Sequence, residues 1–237
     1  MSNDAPSASA PPAPPKIIYT PLLVALCATA ILSSLADYWP ITTSILASAI
    51  LLTGLRAVAR DHLLRLVVGG LLVICLPLRW AAHTFGDEYF WLLFLSHVSL
   101  VIYFSLLEGI VLVRVIRPHR ITSQTVIGAI CGYLLIAYIF GFVFAALESL
   151  DPNAIITGGQ PAVVDTPASI EQDIGELMYF SLISLTTVGY GDYVPLSRFA
   201  RSLVVAEVLA GQLYLAAFVA RLVGALESPP PPEQHGN

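Results

Sequence analysis

The chain has 237 residues, 57% hydrophobic and only 11% charged, with a net charge of −5. Soluble domains carry roughly 25% charged residues, so there is too little polar surface here to coat a water-soluble globule. The composition is that of a membrane protein, and the net charge says little because the charges are segregated along the chain.

Residues 1–16 are rich in Pro, Ala and Ser, with Lys16 the one base, a poor n-region for a signal peptide. They are expected to form a disordered cytoplasmic tail. Small residues at Ala28 and Ala30 imitate a cleavage site, but apolar sequence runs on to Ala36, so a retained first helix is expected. A hydrocarbon core of about 30 Å needs roughly 20 apolar residues in helix. Six stretches meet that length: Ile17–Ala36, Ile41–Ala59, Leu63–Trp80, Tyr89–Val113, Thr125–Leu147 and Arg198–Gly224. A seventh, Ile174–Leu185, is too short to cross and is expected to be a re-entrant helix. Cys27, Cys75 and Cys131 each lie inside an apolar run without ligand-like spacing, which argues against disulfides and zinc alike.

Orientation follows from Lys and Arg in short loops. With the N-terminus inside, the cytoplasmic set is Lys16, Arg56, Arg60, Arg65, Arg114, Arg117, Arg120 and Arg221, against Arg79, Arg198 and Arg201 outside. Both termini are thus expected in the cytoplasm of a plasma (inner) membrane protein. The segment Glu148–Glu176 then lies outside; it carries six acidic residues and no Lys or Arg. It is either an ordinary solvated loop or, in four copies around an axis, a device that concentrates cations at a pore mouth.

The most informative stretch is Tyr179-Phe-Ser-Leu-Ile-Ser-Leu-Thr-Thr-Val-Gly-Tyr-Gly-Asp192. A dehydrated cation crossing lipid needs oxygens at close range in place of water. Successive carbonyls supply them only if all point one way, which requires left-handed backbone angles; Gly189 and Gly191 adopt these without steric cost. Irregular backbone at membrane depth is tolerated where it lines a cavity. The short helix before it aims its partially negative C-terminal end inward, favouring a cation. Asp173 and Glu176 offer a capping box at its other end.

Over Thr125–Gly224 the chain closely resembles the potassium channel superfamily, in the order outer helix, turret, pore helix, filter and inner helix. The resemblance is to a six-transmembrane, prokaryotic-type channel without a regulatory cytoplasmic domain. It implies an all-α membrane protein with a re-entrant pore helix and filter loop between helices five and six, assembled as a homotetramer around the ion. It implies that Thr187, Val188, Gly189 and Tyr190 coordinate K+, that Gly191 completes the filter, and that Asp192 stands at the outer mouth. Tyr190 would point its ring away from the ion, towards Tyr179 and Phe180. Some family members carry a carboxylate behind the filter where this chain has Ile183, so their inactivation behaviour is not implied. Transporters sharing the pore plan usually carry four degenerate filter repeats, whereas this chain has one.

By the same resemblance Gly211 is a gating hinge, and Gln212, Leu215 and Val219 line the cavity; glycine is also simply common in membrane helices. Glu207, four residues before Gly211, and Glu108 in the fourth span are intramembrane carboxylates and hence functional candidates. Structural support is the expected role of Glu207, and pairing with Arg114 or a neighbouring helix that of Glu108. Arg114, Arg117 and Arg120 repeat every third residue as sensor arginines do. Yet Pro118 interrupts them, the fourth span has no Lys or Arg from Tyr89 to Val113, and a sensor needs several charges in the field. They are weak sensor candidates, better explained as positive-inside anchors. His62, His83, His97, His119 and His235 are scattered, and no nucleophile elbow, phosphate loop or nucleic-acid motif is present.

The expected domains are residues 1–16, a four-helix membrane domain over 17–120, a pore domain over 121–224 and a short cytoplasmic tail over 225–237, too short for a ligand-binding regulatory domain. The expected function is passive, K+-selective conduction with weak voltage dependence. Membrane lipid and K+ are its partners, and no cofactor, enzyme chemistry or nucleic acid is involved. Three alternatives stay open: a pore poorly selective between K+ and Na+, the pore subunit of an energised uptake system, and a non-conducting membrane scaffold.

Overall fold

A computed structural model describes residues 19–32, 41–58, 62–85, 89–116, 122–151, 154–157 and 174–227. Its helices are α1 (Thr20–Leu32), α2 (Ile41–Val58), α3 (His62–Phe85), α4 (Phe90–Ile116), α5 (Ser123–Leu150), α6 (Ile174–Leu185) and α7 (Arg198–Glu227). Two three-residue strands, β1 (Ile155–Thr157) and β2 (Tyr193–Pro195), add a small antiparallel sheet that the all-α expectation lacked.

Among the described residues four helices are long and apolar enough to cross a membrane: α3, α4, α5 and α7. The described parts of the first two expected spans, Thr20–Leu32 and Ser44–Ala57, are shorter apolar helices. α3 runs five residues past its expected end at Trp80, straight through Pro77. Hydroxyls inside the apolar helices hand their hydrogen to the preceding turn, as Thr29 does to Ala25 O and Thr53 to Ala49 O.

Cross-helix hydrogen bonds fix the directions. Tyr19 N donates to Gln124 Oε1, and further along the same two helices Tyr138 OH donates to Leu26 O. α1 and α5 therefore run parallel. Tyr103 OH donates to Leu51 O and Arg114 Nη1 to Ala57 O, so α2 and α4 run parallel as well. α4 and α5 form a hairpin with short linkage, packed along their length. α5 starts on a capping box in which Thr122 and Thr125 exchange side-chain and backbone bonds. It is the central helix, touching α1, α4, α6 and α7. Phe104 of α4 stacks on Phe142 of α5 at 5.5 Å, and Phe144 meets Phe180 of α6 at 5.1 Å. The sheet and the start of α7 close over the end of α5, which places the turn between α6 and β2 beside them.

A candidate ion-filter turn between two helices

α6 coincides with the expected short helix, and the chain leaves it in an unusual backbone. Thr187, Gly189 and Gly191 have φ of 60°, 49° and 82°, while Val188 and Tyr190 between them keep negative φ. Alternating hand along an extended segment turns successive peptide units the same way, with N–H groups on one side and carbonyls on the other. The sequence pointed to the two glycines; Thr187, which bears the left-handed angle at a steric cost, was not foreseen.

The N–H groups at the start of the turn, from Thr186 to Gly189, are engaged. Thr186 N donates to Leu182 O (3.1 Å), Thr187 N to Ser184 O (2.9 Å), and Val188 N and Gly189 N both to Ile183 O (2.9 and 3.2 Å). These are the orphan carbonyls that every helix leaves at its last turn, so α6 seats the turn that follows it. Among the described residues the carbonyls of 187–190 accept no hydrogen bond, and residues 186–191 are all exposed within one chain. Here is a row of bare oxygens whose N–H groups, as far as Gly189, are satisfied by the last turn of α6.

The exit of the turn is pinned. Asp192 accepts from Tyr179 OH of α6 (2.8 Å) and from Tyr193 N (3.1 Å), and the Tyr179 and Tyr193 rings meet edge to face at 5.9 Å. β2 pairs with β1, register Ile156 to Val194. Ala154 O accepts from Leu196 N and Ser197 N, and the Ser197 hydroxyl caps α7 through Ala200 N. One expectation changes here. Glu148 belongs to no solvated acidic loop: it is buried, with Oε1 accepting from Ile155 N at 2.5 Å, because the sheet needs that turn held. Within the chain the Tyr179 ring meets Tyr193, the Phe180 ring meets Phe144, and Tyr190 is 73% exposed. Most of the acidic segment, with Asp173 of the expected capping box, lies outside the described residues.

α7 meets the rest of the chain along one stripe, where Ala200, Glu207 and Gly211 are buried. It passes Gly211 without a break, and a Cβ there would run into the Leu185 side chain. Close approach of α7 to the end of α6 is thus a reason for glycine independent of bending. Gln212, Leu215 and Val219 lie on exposed faces. Tyr133 OH of α5 donates to Leu185 O (3.1 Å), and Tyr214 OH of α7 donates to Ala129 O of α5 (2.8 Å). Ser181 of α6 bonds both Ala137 O and Glu207. A serine in an apolar helix signals a buried polar group in need of a partner, and that signal in the sequence was passed over.

At the other end, Arg114 spends a guanidinium nitrogen on Ala57 O at the C-terminus of α2, where a cation is favoured. The expected pairing of Arg114 with Glu108 is not made: Glu108 is buried beside Gly132, its carboxylate oxygens without a hydrogen-bond partner among the described residues. Arg117 and Arg120 lie outside the described residues. Arg79, counted with the outer loops, is instead buried within the helices, since α3 continues past it.

No curated protein and no solved structure matches the chain. Residues 132–228 match the model of a family described as ion channel, a likeness that begins within α5, takes in α6 and the turn, and runs through α7. That likeness indicates an ion channel.

Proposed function

We propose that the chain is one subunit of a homotetrameric, potassium-selective channel that passes K+ passively down its electrochemical gradient. The observation that carries this reading is the segregation at this turn, with the N–H groups of residues 186–189 bonded into the last turn of α6 and the carbonyls of 187–190 left bare. A ring of backbone carbonyls replacing an ion's hydration shell is how selectivity filters work. One chain supplies one row, and closed symmetry supplies the ring.

In this reading Thr187, Val188, Gly189 and Tyr190 offer their oxygens to K+ and Gly191 completes the row. Asp192 stands at the outer mouth, held by Tyr179. Gly211 lets α7 approach α6 and bend below it, and Gln212, Leu215 and Val219 face the cavity. Residues 121–224 form the pore domain and 17–120 a membrane domain that senses voltage weakly at most. The assembly sits in the plasma (inner) membrane with six spans per chain and both termini in the cytoplasm. The lipid-exposed surface and K+ are its partners; no cofactor enters.

The test is conductance of the purified chain in planar bilayers under asymmetric K+ and Na+. A reversal potential near that of K+ is expected. Equal permeability to the two ions, or silence of a verified tetramer, would remove the assignment.

A further inference from the structure

Ser181 and Glu207 are both fully buried, on α6 and α7 respectively. Ser181 Oγ lies 2.7 Å from Ala137 O of α5 and also bonds a carboxyl oxygen of Glu207. A serine hydroxyl has one hydrogen to give. Ala137 O, a carbonyl, has none, so the hydrogen on Ser181 goes to one of its two oxygen neighbours and the other contact needs a hydrogen from elsewhere. Only Glu207 can bring it. Were Glu207 a carboxylate, either it or Ala137 O would face the Ser181 lone pairs with no hydrogen between them. Both contacts of Ser181 close without conflict if Glu207 carries a proton and donates it to Ser181 Oγ, while Ser181 donates to Ala137 O; Glu207 Oε2 stays buried without a hydrogen-bond partner among the described residues. A neutral acid also suits a site where an unpaired charge is costly.

The place of this chain of bonds gives it a purpose. Ser181 stands two residues before Ile183, whose carbonyl receives the N–H groups of Val188 and Gly189. One helical turn further on, Leu185 O is held by Tyr133 of α5, and the Leu185 side chain fits against Gly211 of α7. α6 is thus gripped at two levels between the same two helices, and the level nearer its middle depends on Glu207.

We propose that Glu207 is a filter-positioning residue: as a neutral acid it donates to Ser181, Ser181 donates to Ala137 O, and the pair clamps α6 so that Ile183 holds the turn at 186–191 in line. This rests on the reading of that turn as the ion path, and it assigns to the inner-helix carboxyl a task that Ile183 cannot perform.

Two measurements on the full-length protein test it. In infrared difference spectra between wild type and Glu207→Gln at neutral pH, a protonated-carboxyl C=O band is expected to vanish, and Ser181→Ala should shift that band. Loss of carboxylate bands instead would overturn the proposal, whether or not the protein conducts. In bilayers, Glu207→Ala is expected to lower the K+/Na+ permeability ratio about tenfold, the scale of one buried group left unsatisfied. Glu207→Gln, whose amide also donates, should stay near wild type. If Glu207→Ala does not assemble, Ser181→Ala carries the same expectation. An unchanged ratio in the alanine variants, or Gln as damaging as Ala, would overturn the clamp; a wild-type pore that does not prefer K+ would instead sink the function it serves.

Discussion

α5 and α7 are both apolar helices of spanning length, yet they are buried very differently. Of the most apolar stretch of each, 61% is buried within the chain for α5 and 11% for α7. Among the described residues α5 is surrounded by α1, α4, α6 and α7, whereas α7 packs mainly on α5, α6 and β2 along one narrow stripe. Lipid tails give no hydrophobic drive for helices to associate, so a bare helix in a membrane is not in itself unstable. What distinguishes α7 is its company: beside it lies a turn whose carbonyls are unpaired and whose residues are exposed. An unpaired backbone group in hydrocarbon costs several kcal/mol. α5 thus buries most of its apolar surface within its own chain, and α7 leaves most of its own open.

The hardest blow to this contrast is expected from Gly189→Ala. Gly189 sits at φ 49° with nothing within 4 Å of a would-be Cβ in the single chain. The damage would come from backbone strain, roughly 1–2 kcal/mol per copy, and from turning a carbonyl out of the row. K+ flux should be abolished while cross-linking still traps tetramers. Normal conduction by this variant would mean that the exposed row is not an ion path.

Gly211→Val tests the stripe where α7 does touch its own chain. Overpacking typically costs about 1–3 kcal/mol, and the Leu185 side chain is what the new methyls would meet. A lower midpoint in denaturant unfolding is expected, with partial recovery in the double variant carrying Leu185→Ala. No recovery would place the glycine's importance in bending rather than packing. Tyr133→Phe, which strips one bond from Leu185 O, should cost about 1 kcal/mol by the same measurement.

Long apolar runs made the bodies of α4, α5 and α7 legible, and the bounds of α6 were readable because its flanks change character within two residues. The glycines marked two of the three left-handed angles, since only their lack of Cβ shows in a sequence; Thr187 takes the third where the chain folds back on the last turn of α6, its N–H on Ser184 O and the two N–H groups after it on Ile183 O. The burial of Glu148 was hidden because β1 and β2 pair across a separation that no local pattern encodes. Arg79 was misplaced because a charge beside the end of an expected span reads as a loop anchor, whereas α3 runs on past it to Phe85 and buries it within protein.

Arg114→Gln bears on the closed part and should have the smallest effect. In the chain Arg114 is spent on the last turn of α2 through Ala57 O, an interaction of a cation with a helix C-terminus worth about 0.3–1 kcal/mol. A charge that moves across the membrane field contributes about 2.3 kcal/mol per 100 mV, so a sensor arginine cannot be neutralised without flattening the conductance–voltage curve. The variant is therefore expected to unfold slightly more easily while the steepness of that curve stays as in wild type. Both readouts come from one preparation, and they separate an anchor from a sensor. A flattened curve with unchanged stability would turn the closed half of the chain from a packing shell into a moving part, and the contrast between α5 and α7 would then describe one state of two.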